Sequence, residues 1–428
     1  MMQLFTTVFL GICLGLSAQT YNYEIDKTDF ENHIYYLASD DLQGRKPGTT
    51  GDSLSAAFIR DKFREAGLEL LGENGFQFFE VTTGIILRED NLLAIGDDSF
   101  KAEEDYIPYN ISANASLKAD VIFVGYGFSI RDDTLQWDDY QSVDVQGKWV
   151  LVLRSDPDLD NPKSVFAESS SDWYKVMNAA YHGAAGVLLV NTVDYDKEDE
   201  IKKLRPENGV SPAKVPVIQI KRELADKILS STNNTIEKLE KKFDAERAPF
   251  SFNTNCLVNA HTELELFKEK TTNVTGFLKG TSDTDDCLIF GAHYDHLGLG
   301  GGSSKTPDTV AVHYGADDNA SGIAMFIELA QKASREKPER NLLFIAFGAE
   351  EMGLLGSKYY VNNPLKDLAE AKIMFNFDMV GRLNENNAVT VNGTGTAKET
   401  DSLLTLSLDS NSFKFIRSTR RSGISCRH

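Results

Sequence analysis

Between Asp286 and Gly381 the chain alternates strand-length apolar runs with stretches of helical period, and this alternation limits the fold more than any other feature. "DCLIFGAHYDH", "NLLFIAFGAEE" and "AKIMFNFDMVG" read as strands. "ASGIAMFIELAQKAS" and "GLLGSKYYVNN" read as the helices between them. In the first helix Ile323, Phe326, Ile327 and Ala330 share one face, Asn319 or Ser321 is the candidate N-cap, and Pro338 is the terminator. Leu342 to Phe347 has no polar residue at alternate positions, as in a strand buried on both faces of a parallel sheet. The expectation is a doubly wound α/β fold built on a mostly parallel sheet.

The runs end on charge. The first leads to His293 and Asp295, the second to Glu350 and Glu351, the third to Asp378, while "GADDNASG" puts Asp317 and Asp318 ahead of the first helix. The carboxyl ends of parallel strands share one rim, where ligands bind in open α/β sheets. Any one of these segments alone is ordinary: an HxD turn, an acidic helix start, a solvated pair of glutamates. Together they would repel one another unless a cation sat among them. Oxygen ligands with imidazole suit Zn²⁺ or a similar divalent ion.

Other regions carry less chemistry. "DSLSAAFIRDKFREAGLELLG" spaces Ala56, Ile59, Phe63 and Leu68 as a helix, with Gly67 as its stop. From about Ser99 to Phe252 short β-rich runs ("ADVIFVGYGF", "KWVLVLRSD", "AAGVLLVN", "VPVIQI") and a helix, "SDWYKVMNAAYHGA", form a self-contained α/β insert. Its histidine, His182, and scattered acids make no catalytic set, so it reads as a scaffold or substrate-gating module. The domain expectation is a leader at 1–18, the first part of the main domain at 19–98, the insert at 99–252, and the rest of the main domain at 253–428.

The leader, "MMQLFTTVFLGICLGLSAQT", is apolar and ends in Ser17-Ala18, the shape of a cleavable secretory signal; a buried N-terminal helix or a lipid anchor on Cys13 are the alternatives. No later run approaches the ~20 apolar residues of a membrane span. An exported protein, periplasmic or extracellular, is expected. Cys256, Cys287 and Cys426 are no disulfide framework and no thiolate metal site. A net charge of −20 excludes nucleic acid as a partner, because a phosphate backbone needs a basic footprint. Nothing in the sequence fixes an oligomeric state.

The motifs "GAHYDHLG", "GADDNASG", "FGAEEMGLLGS" and "FNFDMVGR" resemble those of the M28 family of co-catalytic zinc aminopeptidases. "LASDDLQGRKPGT" resembles that family's N-terminal segment, and "VIFVGYG" with "HGAAGVLLVN" resembles the protease-associated (PA) domain that many members carry. The resemblance implies a zinc exopeptidase-like fold, two zinc ions and peptide substrates with a free N-terminus. It implies that Asp317 bridges the ions, that His293 and Asp378 bind one and Glu351 the other, and that Glu350 is the general base. It also implies that Asp295 orients the His293 ring and that a cis peptide joins Asp317 to Asp318. Family members supply one more histidine well beyond the position of Asp378. Here only His428 follows, in the basic, turn-like "IRSTRRSGISCRH". The resemblance therefore implies a truncated or frameshifted terminus and a ligand lacking on the Glu351 side. His296 and His313 read as loop residues, with substitute ligation as the alternative, and His33 and His261 as structural. Competing functions are a carboxypeptidase or glutaminyl-cyclase-like relative, and a peptidase fold without activity.

Overall fold

A computed structural model describes residues 25–131, 135–159, 161, 163–206, 210–301, 304–306, 309–383, 387–396 and 414–418. The leader at 1–18 with Cys13, and also Cys426 and His428, lie outside the described residues.

The main domain is organised on one mixed sheet. Three strands are parallel, in the order Asn341–Phe347, Cys287–His293, Ala371–Asn376. On the far side of Asn341–Phe347 runs Leu264–Leu278, antiparallel, which also pairs with Phe76–Leu87 and with the short strand Glu69–Leu70. The parallel strands occupy the segments read as strands in the sequence. The helices Gly322–Glu336 and Leu355–Asn362 occupy the segments between them.

Asn341–Phe347 is buried along its whole length. Leu342, Phe344 and Ala346 face the helices Thr50–Glu65 and Gly322–Glu336, where the Phe344 ring lies 5.4 Å from Phe326 and 6.1 Å from Phe63. Leu343, Ile345 and Phe347 face the opposite way, onto Tyr360 and Leu71. Helices thus cover both faces, and burial of each large side chain contributes about 1.5–3 kcal/mol. This anchoring holds the residues that follow Phe347 at a fixed height above the sheet.

The insert has an eight-stranded sheet of its own. Its centre is parallel (Ala115–Phe123, Trp149–Leu153, Gly186–Val190, Val217–Ile220), with antiparallel strands on both sides. Leu92–Ile95 and Phe252–Thr262 belong to this sheet, so its strands reach past the expected limits of 99 and 252 at both ends. The chain enters along Phe76–Leu87 and leaves along Leu264–Leu278. These two strands pair from Phe76↔Val274 to Leu87↔Leu264 and form a two-stranded stalk. Among the described residues no helix is long and apolar enough to cross a membrane.

Candidate metal centre

The three parallel strands deliver their ends to one rim, as parallel topology requires. His293 is the last residue of its strand and is almost fully buried. Its Nε2 lies 3.2 Å from Asp318 Oδ1 and 3.5 Å from Asp378 Oδ1. Across the rim, His296 Nδ1 lies 2.7 Å from Glu351 Oε1. Two sets of ligand atoms converge, each within 4.8 Å of one another: His293, Asp318 and Asp378 in one, His296, Asp318 and Glu351 in the other. Asp318 belongs to both. Each set offers one imidazole nitrogen and two carboxylate oxygens, a donor set that fits a divalent ion such as zinc.

The shared carboxylate is one residue away from the sequence expectation. Asp317 is turned out of the cluster: its Oδ2 accepts from Arg382 Nε at 2.8 Å and its Oδ1 from the Gly381 amide at 3.0 Å. The cis peptide likewise joins Asp318 to Asn319, not Asp317 to Asp318. Neighbouring side chains leave the backbone in different directions, so only one of two adjacent aspartates reaches the rim. Asn319, wholly buried, secures the choice. Its Nδ2 donates to the Phe377 carbonyl at 2.9 Å, and its Oδ1 accepts from the amides of Gly322 at 3.1 Å and Met379 at 3.2 Å. The residue after Asp318 thereby ties that loop to both flanks of Asp378 and caps the following helix.

Asp295 was expected to orient the His293 ring, and its own hydrogen bonds go elsewhere. The ring Nδ1 lies 3.2 Å from the Asp295 main-chain carbonyl and 3.8 Å from Asp295 Oδ1. The wholly buried carboxylate accepts instead from the amides of Glu350 at 2.9 Å and Glu351 at 3.2 Å. One side chain therefore sets the backbone of both glutamates. Ala349, at φ +55°, turns the chain off the strand so that they point to the rim.

The electrostatics are those of a gathering of acids. Burial works against the His293 imidazolium, yet Asp295, Asp318 and Asp378 outweigh it and raise the ring's pKa well above its usual value. Burial would raise the Asp318 carboxyl, but His293, His296 and Arg45 pull it below the ordinary carboxylate range. Glu350 moves the other way. Burial, joined by the like charges of Asp295, Glu351 and Asp378 and opposed by His293, pushes it up to about 7. A carboxyl at that level is suited to exchanging a proton near neutral pH.

His313, the other histidine near the site in sequence, stays in its loop, with Nδ1 on the Ala311 carbonyl and Nε2 near Ser304 Oγ. His33 pairs with Glu328 in the interior at 3.1 Å, and His182 stacks on Tyr140 in the insert. A hollow of about 380 Å³ in the insert, lined by Tyr126, Asp156, Asp158, Asp194, Glu240 and Asp244, is acidic too. Among the described residues its ligand atoms do not converge as those of the rim do.

Residues 273–417 match the family described as Peptidase family M28, and residues 113–228 match the PA domain. Aminopeptidase YwaD of Bacillus subtilis (strain 168) is 25% identical over 348 residues, 80% of this chain and 60% of that protein. A probable zinc metalloprotease of Pyrenophora teres f. teres (strain 0-1) is 34% identical over 125 residues, 29% of this chain and 26% of its own. The chain thus spans less than two thirds of the length of either relative. Among solved structures, an aminopeptidase from Aneurinibacillus sp. strain AM-1 superposes with a TM-score of 0.50 at 22% identity, covering 92% of this chain and 80% of that one. That likeness speaks for the fold alone.

Proposed function

We propose, from the premise that residues 273–417 are an M28 peptidase domain preceded by a PA domain at 113–228, that this chain is an exported zinc aminopeptidase. The observation that carries the reading is the pair of triads sharing Asp318. His293, Asp318 and Asp378 would hold one zinc ion; His296, Asp318 and Glu351 would hold the second. Held there, zinc would supply Lewis-acid polarisation of the scissile carbonyl and would lower the pKa of the attacking water.

The rest of the chemistry belongs to the chain. Glu350, raised towards neutrality by burial and its acidic neighbours, takes the proton from the attacking water and returns it to the departing amine. Glu351, the next residue, is engaged with His296 and leaves Glu350 free for that task. Asp295 fixes the amides of both, so that Glu351 would serve as a ligand while Glu350 stays available for the proton. Acidic surroundings favour the protonated α-amine of a peptide. An N-terminal residue is therefore the expected product, released from a peptide with a free N-terminus. Export rests on the leader at 1–18, which lies outside the described residues.

Purified protein should contain close to two zinc ions per chain and release amino acids from aminoacyl anilides. Chelation should abolish release and zinc should restore it. A folded, zinc-loaded sample that cleaves neither aminoacyl nor peptide substrates sinks the reading. Blocking the substrate's N-terminus should prevent cleavage; continued cleavage from the other end would point to a carboxypeptidase instead.

A further inference from the structure

Arg45 is wholly buried beneath the metal centre and lies outside every ligand motif. Its fork is spent on main-chain carbonyls. Nε donates to Tyr294 O at 2.7 Å, Nη1 to Tyr314 O at 2.8 Å and to Leu37 O, and Nη2 to Gly315 O at 2.9 Å. Tyr294 lies between His293 and Asp295, and Gly315 lies three residues before Asp318. The arginine's own backbone joins in: the His296 amide donates to Arg45 O at 3.2 Å, and the Gly298 amide to Gly44 O at 2.9 Å. A single residue, 249 positions from Tyr294 in sequence, thus touches the loop bearing His293 and His296 and the loop leading to Asp318.

We propose that Arg45 is the positioning residue that sets these two loops at the spacing both metal triads require. It touches neither ion nor substrate, and the inference rests on the zinc reading given above. Among the described residues it makes no ion pair with a carboxylate, so its role lies in its geometry. Four N–H groups held in a rigid plane meet four carbonyls that no lysine could reach together. The local backbone is shaped to the same end. Gln43, Gly44 and Arg45 all have positive φ, at 44°, 72° and 50°, a conformation rare outside glycine. A Cβ on Gly44 would come within 2.5 Å of the His313 carbonyl and 2.6 Å of the Gly298 carbonyl, so the loop is pressed against the segments that follow His296 and precede Asp318.

Charge and geometry predict opposite signs. Asp295, Asp318 and Glu351 feel the guanidinium charge, and removing a cation from a cation site should, on charge alone, strengthen metal binding. Loss of position should weaken it. Outer partners of metal ligands typically control affinity ten- to a hundred-fold.

The test is a zinc titration of the full chain against a chromophoric chelator, with the visible spectrum of the cobalt form as a second readout, for the wild type, Arg45→Lys and Arg45→Met. Both variants are expected to bind zinc ten- to a hundred-fold more weakly and to show an altered cobalt spectrum, with lysine giving no rescue. Unchanged or tighter binding in either variant overturns the proposal, as does restoration by lysine, which would show that the planar four-donor fork is not what holds the loops. If neither variant folds by circular dichroism, Gly44→Ala keeps the arginine and displaces its loop, and the same weakening is expected. Failure of all three to fold assigns Arg45 a general structural role and also overturns the proposal. A wild type that binds no zinc defeats the metal reading itself, separately from this one.

Discussion

Two buried arginines show how differently this chain handles charge in its two domains. In the insert, Arg154 meets Asp172 through Nε and Nη2 and holds Asn191 Oδ1 at 2.6 Å, while Tyr109 donates to the same aspartate at 2.5 Å. Burial would raise Asp172, but Arg154 overrides it and brings the carboxyl down to about 2. Opposite charges there satisfy one another. In the main domain Arg45 donates only to carbonyls, and the acids above it, Asp318, Glu350, Glu351 and Asp378, lie close together beside His293 and His296. A closed pair of charges maintains a fold. An acidic rim with convergent ligand atoms is prepared for something from outside. The acidic hollow of the insert shows that negative charge alone does not make such a rim.

The contrast can be broken by substitution. Its largest expected consequence is chemical: Glu350→Gln should lower kcat by about 10²–10⁴-fold, the usual contribution of a general base. Zinc content should stay unchanged. Loss of zinc together with activity would show that the two glutamates have exchanged roles.

Arg154→Met should act on the other side, leaving the buried Asp172 without its hydrogen-bonded guanidinium and with only Lys202, 3.6 Å away and half exposed, as a cation. Such a loss costs about 3–5 kcal/mol, to be read as a lower unfolding midpoint, with the zinc stoichiometry unaltered. A variant as stable as the wild type would show that the pair is no support for the insert.

A smaller, pH-dependent effect belongs to Lys175. This wholly buried amine donates to the Leu153 carbonyl at 2.6 Å and to Ser155 O, and burial lowers its pKa to about 7. Unfolded, the amine titrates near 10.5. Between these values the unfolded chain binds more protons than the folded one, so this residue's contribution makes stability rise with pH from about 7 to 10.5. Denaturant melts across that range should show the rise, and Lys175→Met should remove it. A rise that survives the substitution belongs to another group.

The smallest expected effect is none. Asp317→Asn should keep both zinc ions, whereas Asp318→Asn should lose affinity for both, because only Asp318 belongs to the two triads. Metal analysis after dialysis separates the two outcomes.

Much of this was readable from residues alone. Leu342–Phe347 has apolar side chains throughout, as a strand covered on both faces does, and the charge that follows such runs marked the rim. The sequence could not decide between Asp317 and Asp318. Neither periodicity nor composition separates adjacent like residues, and the difference arises from Asn319, whose amide grips the Phe377 carbonyl at 2.9 Å once the third strand is in place. His296 stood in a loop with no local sign of where its ring would point; only folding brings it 2.7 Å from Glu351. The reach of Arg45 depends on contacts between segments that no local pattern relates. The limits of the insert were blurred for a similar reason. Its outer strands at 92–95 and 252–262 continue almost directly into the stalk strands, so composition changes only inside the sheet.

The central claim is that two divalent ions share Asp318, and anomalous diffraction at the zinc edge from a zinc-loaded crystal tests it most directly. Two peaks about 3.5–4 Å apart are predicted, one beside His293 and Asp378, the other beside His296 and Glu351, each about 2.0–2.2 Å from an Asp318 oxygen. A single peak, or a pair of peaks bridged by Asp317, would contradict it.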